Sequence, residues 1–109
     1  MELLKIEFVR GEPSVLRVQG EADCSTADQL REALNEAQSD DPTVVIDMAG
    51  VTFIDAAGLR VVLETAESRN GVGPLTLVNA SRVAWLLEVV GLSDLPSIAM
   101  SDGEDAGDR

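Results

Sequence analysis

The sequence has no histidine and no tyrosine, one cysteine, and only 3% aromatic residues. Without histidine, acid–base catalysis by an imidazole and histidine metal sites are excluded. The single cysteine, Cys24, excludes a disulfide within the chain and a cysteine cluster for zinc. Because aromatics are scarce, the core of this 109-residue chain must be built from leucine, valine, isoleucine and alanine. We expect one domain with no resident metal and no cofactor.

Positive charge is also scarce, since eight lysines and arginines stand against 20 aspartates and glutamates, for a formal net charge of −12. Phosphates of nucleic acids and anionic membranes would be repelled, so a basic protein surface is the better partner. The charge also keeps a small domain soluble, and that explanation stays open. There is no apolar run of the roughly 20 residues needed to span a bilayer, and no signal-peptide layout at the N-terminus. We expect a cytoplasmic protein.

The most informative stretch runs from Val44 to Leu59. It begins with β-branched residues, which predicts a strand buried on both faces. We expect a turn at Gly50 and a second short apolar run over Val51–Ile54. After Asp55 the apolar residues recur at helical spacing, so Asp55 is predicted to cap a helix N-terminus through its carboxylate.

The rest of the chain alternates strands and helices. Strands near residues 4–8 and 15–18 are predicted to form a hairpin, and Ser25 or Thr26 to cap a first helix. A strand near residues 75–78, a third helix capped by Ser81 and a short strand near 96–100 follow. The order β-β-α-β-α-β-α-(β) predicts a single α/β domain over residues 1–100, with helices packed on a small mixed β-sheet. Residues 101–109 are acidic and lack bulky apolar side chains, which predicts a disordered tail.

Helical spacing also predicts which side chains face inward. The expected apolar faces are those of the first helix, Ala27, Leu30, Leu34 and Ala37, and of the third helix, Val83, Leu86, Leu87 and Val90. Trp85 and Val89 are then predicted to face outward. They form either a contact surface, including a weak homodimer interface, or a patch covered by the tail or a loop. Val61 is predicted to face outward on the second helix.

Three catalytic interpretations fail on the residues present. Asp47 ends a predicted strand, as the phosphoacceptor of a two-component receiver does, but the supporting acidic pair and late lysine are missing. Ser25, near Asp23 and Asp55, has no base to activate it. Neighbouring carboxylates disfavour a thiolate at Cys24, so we expect an inert residue, with a redox switch as the alternative. The protein is therefore predicted not to be an enzyme.

Residues 47–59 read Asp-Met-Ala-Gly-Val-Thr-Phe-Ile-Asp-Ala-Ala-Gly-Leu and resemble the signature of STAS domains, most closely of bacterial anti-sigma factor antagonists. Gly20–Asp23 with the following helix, and Leu86–Leu92, resemble two further parts of the family, so that the resemblance covers about residues 3–100. It implies a STAS-like α/β fold. It also implies a partner-switching regulator that binds an anti-sigma factor, usually a GHKL-class kinase, and thereby releases a sigma factor.

The sequence departs from that family at the phosphorylated position. In the family the partner kinase phosphorylates the second hydroxyl residue of the run D-S-S-G-L, and the phosphate breaks the complex. The two hydroxyl positions are Ala56 and Ala57 here, and Ala57 stands at the phosphoacceptor position. The resemblance thus implies an antagonist without the usual switch, as a natural variant or an engineered one, or an antagonist regulated through a ligand or through Cys24, Thr52 or Ser25. We favour a natural variant, because a single trapping substitution would not need two alanines.

The strand, Asp55 and the start of the second helix form a predicted junction that we call the corner. The resemblance implies that the partner-binding surface lies at this corner. The predicted contact residues are Asp23, Ser25, Thr26, Thr52, Asp55, Ala56, Ala57, Gly58, Arg60 and Val61. Two other functions stay open. One is an accessory subunit of a transporter, such as a lipid-transport ABC complex. The other is a sensor that binds a nucleotide or small anion at the helix N-terminus.

Overall fold

The computed structural model describes residues 3–69 and 71–101. Its elements are β1 (Leu4–Val9), β2 (Val15–Ala22), α1 (Ala27–Asp40), β3 (Val45–Ile54), α2 (Ala56–Glu67), β4 (Leu75–Val78), α3 (Ser81–Val89) and β5 (Ile98–Ser101). The strands form one five-stranded sheet in chain order. β1 pairs antiparallel with β2, and all other neighbours are parallel. The predicted α/β class and element order are confirmed. Ser101 belongs to β5, and the rest of the predicted tail lies outside the described residues.

The helices cover one face of the sheet, and the other face is open to solvent. In β2, Leu16 and Val18 are buried while Arg17 and Gln19 are exposed. One apolar cluster joins the inward strand residues to the buried faces of all three helices, represented by Leu30, Leu34, Leu59, Val62, Val83 and Leu87. This alternation is typical of a sheet with a single covered face, and it places the ends of the parallel strands beside the helix N-termini.

β3 corrects two expectations. It is not buried on both faces, since Ile46 and Met48 are buried while Ala49 is exposed. It also does not turn at Gly50 but continues to Ile54. A glycine suits this position of the strand, because a Cβ on residue 50 would lie only 2.6 Å from Cγ of Gln19 on β2 and would clash with it. Two shifts in the β2–β3 register keep the longer strand paired. The chain therefore runs straight from the sheet into α2.

The predicted apolar face of α1 is confirmed, because Leu30, Leu34 and Ala37 are buried. The prediction that Ser25 or Thr26 caps α1 through its side chain is wrong. Thr26 occupies the N-cap position, but its hydroxyl donates to the carbonyl oxygen of Glu21 at 2.8 Å instead of capping the helix. The cap of α3 is also wrong, since Ala80 takes the N-cap position and Ser81 is the first helical residue. Val90 is exposed because α3 ends one residue before it.

Val61 is fully buried, contrary to the prediction that it faces outward. The flank of α2 on that side contacts α1. Glu64 forms an ion pair with Arg31 at 3.3 Å, and the Arg69 guanidinium donates to the side chain of Gln38 at 2.8 Å. A helix that contacts both a sheet and a neighbouring helix buries a wider arc than the single face that periodicity predicts. Val61 therefore stabilises the core and is not available at the surface.

The replacement Gly58→Ala should destabilise the protein, although alanine is normally favoured over glycine in a helix by about 1 kcal/mol. A Cβ at Gly58 would press into the carbonyl oxygen of Ala22, a backbone atom that cannot turn aside. We expect the free energy of unfolding in urea to fall by roughly 1–3 kcal/mol. The control is Ala84→Gly at an exposed position of α3, which measures the intrinsic preference alone. A Gly58→Ala variant as stable as the parent would contradict the tight approach.

Candidate functional site

A single residue, Asp55, joins the end of β3 to the start of α2. Its carboxylate oxygen Oδ1 accepts hydrogen bonds from the N–H groups of Ala57 at 2.9 Å and Gly58 at 3.2 Å. The N–H of Asp55 donates to the carbonyl oxygen of Ala22 at 3.2 Å. The predicted N-cap is confirmed, and these bonds hold the start of α2 against the end of β2.

The end of β2 continues into a second bonded turn. Oδ1 of Asp23 accepts from the N–H of Ser25 at 2.9 Å and from its hydroxyl at 2.6 Å. These bonds, first the one from the Ser25 hydroxyl and then the one from its N–H, hold the pKa of Asp23 below its ordinary value of 3.8. The carboxylate therefore stays ionised in this turn, beside the α2 corner.

The two alanines at the corner are accessible. Ala56 is exposed and Ala57 is half-buried, as is Asp55. Ser25, Thr52 and Arg60 are also exposed, and the Thr52 hydroxyl donates to the carbonyl oxygen of Gly20 at 3.3 Å. The structure thus leaves seven of the ten predicted contact residues exposed or half-buried at the molecular surface, while their role in binding stays a prediction.

Three of the predicted contact residues do not reach that surface. Val61 and Thr26 are buried, at 0% and 5% exposure. Gly58 is also buried, because it lies against Ala22. Their contribution is to shape the corner, since each fixes a helix start or a helix flank to its neighbour.

An apolar groove beside the corner was not predicted as a unit. It is lined by Phe53, Ile54, Ser81, Arg82 and Trp85. Phe53 is 48% exposed and Trp85 is 65% exposed, so two of the three aromatic residues of the chain meet solvent here. Nε of Arg82 donates to the carbonyl oxygen of Val51 at 3.1 Å, which holds α3 against β3. The outward position of Trp85 is confirmed. Phe53 was missed because it stands in an apolar run that indicates a buried strand.

The geometry of the corner favours contact over chemistry. The Asp55 carboxylate already accepts from the N–H groups of Ala57 and Gly58, and its negative charge opposes an incoming anion. Within the described residues, no three histidine, cysteine, aspartate or glutamate side chains are grouped so that they could hold a metal ion. In the same part of the chain, no helix is long and apolar enough to cross a membrane. What the corner offers is small apolar groups framed by carboxylates.

Comparisons with known proteins agree on one family. The family model described as "Mlab, STAS domain" matches residues 9–98. The anti-sigma-B factor antagonist of Listeria monocytogenes is 36% identical over 95 residues, which cover 84% of this chain and 83% of that protein. The anti-sigma-F factor antagonist RsfB of Mycobacterium tuberculosis is 42% identical over 55 residues, 50% of this chain, and the match spans only 45% of RsfB.

A solved structure shows the same fold. The phosphorylated form of SpoIIAA, described as a Bacillus cell fate determinant, has a TM-score of 0.64 and 26% sequence identity. The likeness covers 97% of this chain and 97% of that one. The predicted resemblance, expected to cover about residues 3–100, is therefore confirmed.

The replacement Ser25→Ala should raise the pKa of Asp23 toward 3.8, because the Ser25 hydroxyl is the largest cause of its lowering. The ionised Asp23 stabilises the fold above its ordinary pKa, and this contribution is lost as the pH falls through the lowered value. Carboxyl-carbon NMR titration measures the shift directly.

Thr43→Ala is the matched control for this titration. The Thr43 hydroxyl and N–H lower the pKa of Asp41 to about 2 in a similar turn on another part of the surface. Thr43→Ala should raise the pKa of Asp41 and leave Asp23 unchanged. If Asp23 titrates alike in the parent and in Ser25→Ala, the hydroxyl bond does not exist in solution.

Proposed function

Because the chain belongs to the STAS domain family, we propose that it is an anti-sigma factor antagonist, a regulatory binding protein that occupies an anti-sigma factor and so releases a sigma factor. Two relatives are named as anti-sigma factor antagonists. The observation on this chain that carries the proposal is the accessible corner of Ala56 and Ala57, framed by Asp23 and Asp55. We propose the cytoplasm as its place of action.

The contact surface centres on the start of α2. The Asp55 cap and the Asp23 turn hold the backbone there in a fixed shape before a partner arrives, so little conformational entropy is lost on binding. The adjacent groove adds Phe53 and Trp85 as apolar anchors of the kind that dominate interface energies. The excess of acidic residues suits a partner whose contact surface is basic.

The partner is an anti-sigma factor of the kinase type, and this chain escapes its phosphorylation. One structural relative is described in a phosphorylated form, which supports the idea that the fold carries such a switch. Ala57 stands at the start of α2, where family members carry the phosphoacceptor, and alanine has no hydroxyl. The antagonist is therefore always competent to bind. Its activity would be regulated through its cellular concentration or through a different side chain.

The replacement Ala57→Asp should imitate the phosphorylated state. A carboxylate in the first turn of α2 interacts favourably with the helix dipole, so the free protein should keep its stability. At a packed interface the same charge must be desolvated beside Asp55, and we expect affinity for the anti-sigma factor to fall at least about tenfold. Isothermal titration calorimetry with the purified anti-sigma factor measures it.

Asn35→Asp is the charge control, because it adds one negative charge at an exposed position of α1. It should change the affinity by less than about twofold. An equal loss in both variants would mean that net charge rather than the corner governs binding. If the parent protein binds no anti-sigma factor of its own cell and instead co-purifies with a transporter ATPase, the proposal fails in favour of the accessory-subunit alternative.

The replacement Ala57→Ser should create a phosphorylation site. With the kinase-type anti-sigma factor and ATP, intact-mass spectrometry should show one added phosphoryl group on Ala57→Ser. The parent and the neighbouring control Ala56→Ser should stay unchanged. Phosphorylation of the parent at Ser25 or Thr52 would show that another hydroxyl has taken over the switch. An unmodified Ala57→Ser variant that still binds would show that the partner is not a kinase.

A further inference from the structure

A second apolar groove lies between α1 and the edge strand β1. Its floor consists of the half-buried Ile6 and Phe8 of β1, with Leu16, Ala33 and Ala37 behind them. β1 ends the sheet on this side, and no helix of the described residues packs beyond α1 there. The groove is therefore the place where one more helix would continue the layer.

The rim of this groove is a stripe of carboxylates on α1. Glu32, Glu36 and Asp40 follow one another at four-residue intervals and are all exposed. Arg10 forms an ion pair with Asp40. Among residues 3–69 and 71–101, no cation lies within 4.0 Å of Glu32 or Glu36. Like charges at this spacing repel, and a carboxylate in the last helical turn opposes the helix dipole. The stripe thus weakens α1 in the free protein.

We propose that this groove binds a cationic amphipathic helix of a partner protein. The apolar side of that helix would lie on Ile6 and Phe8, and its lysines or arginines would face Glu32 and Glu36. Ala33 is small and only half-buried, so a neighbouring helix can approach α1 closely there. The Arg10 guanidinium lies 5.5 Å from the centre of the Phe8 ring and pairs with Asp40, which closes one end of the groove.

The charge of each possible occupant decides which one the groove between α1 and β1 can bind. A second copy of this chain brings a net charge of −12 toward an acidic rim. The eight residues after Ser101 carry four carboxylates and one arginine, so this segment is repelled as well. Anionic lipid is disfavoured for the same reason. A cationic helix would both remove the repulsion within the stripe and cover the half-buried apolar floor. This groove is separate from the α2 corner, and the proposal does not depend on the anti-sigma factor.

The test uses the full-length chain and a synthetic amphipathic peptide of leucine and lysine, about 18 residues long. Amide NMR shifts map the bound surface, and the titration gives the dissociation constant. We expect the largest shifts at Ile6, Phe8, Ala33 and Glu36. A peptide of the same pattern with glutamate in place of lysine should not bind.

Two double variants with equal net charge separate the groove from general attraction. Glu32→Lys with Glu36→Lys should weaken binding at least tenfold. Glu12→Lys with Glu88→Lys adds the same charge at exposed positions outside the groove and should weaken it less than threefold. Equal losses in both variants, shifts centred elsewhere, or no binding of the lysine peptide at millimolar concentration would each overturn the proposal. Thermal unfolding of each variant confirms that the fold is retained.

Discussion

The hydrogen bonds from Ala57 and Gly58 to the Asp55 carboxylate are the interaction on which the arrangement of the corner depends. They cap α2 one residue after the end of β3. Because no loop separates the strand from the helix, the direction of α2 is fixed by the sheet. The close approach of Gly58 to Ala22 then fixes where the helix crosses the end of β2. Once both constraints hold, the outward presentation of Ala56 follows from helical geometry.

The features that the sequence predicts correctly are those that depend on local interactions. The Asp55 cap, the hairpin and the inward face of α1 each depend on residues within a few positions, and each is confirmed. Val61 was mispredicted because its burial depends on α1, which is distant in sequence. The missed continuation of β3 past Gly50 has a similar cause, since the partner that requires a glycine there is Gln19 on another strand. Phe53 is exposed although it lies in an apolar run, because the run does not show where the helices stop covering the sheet.

Most arginines are placed where they stabilise the fold, and among residues 3–69 and 71–101 most carboxylates have no ion-pair partner. Arg31 joins α1 to α2, Arg69 joins the ends of α1 and α2 to neighbouring loops, and Arg82 holds α3 on β3. Arg17 lies on the open face of the sheet within 4.0 Å of both Glu7 and Asp47. With Arg31 engaged by Asp28 and Glu64, α1 has no other cation to balance Glu32 and Glu36. The unbalanced negative charge along α1 therefore follows from where the arginines lie, and not only from overall composition.

The two grooves share no lining residue, since one lies between α1 and β1 and the other between β3 and α3, and this separation has a mechanical consequence. The flank of α1 that meets α2 carries Arg31 and Gln38, whereas the carboxylate stripe lies on its other side. A helix bound beside β1 would therefore not obstruct a partner at Ala56. It would lie against α1, however, and α1 contacts α2 through the Arg31–Glu64 pair. Any coupling between the sites must pass through this packed helix pair, and its sign depends on whether the bound helix shifts α1 or only stabilises it where it already lies.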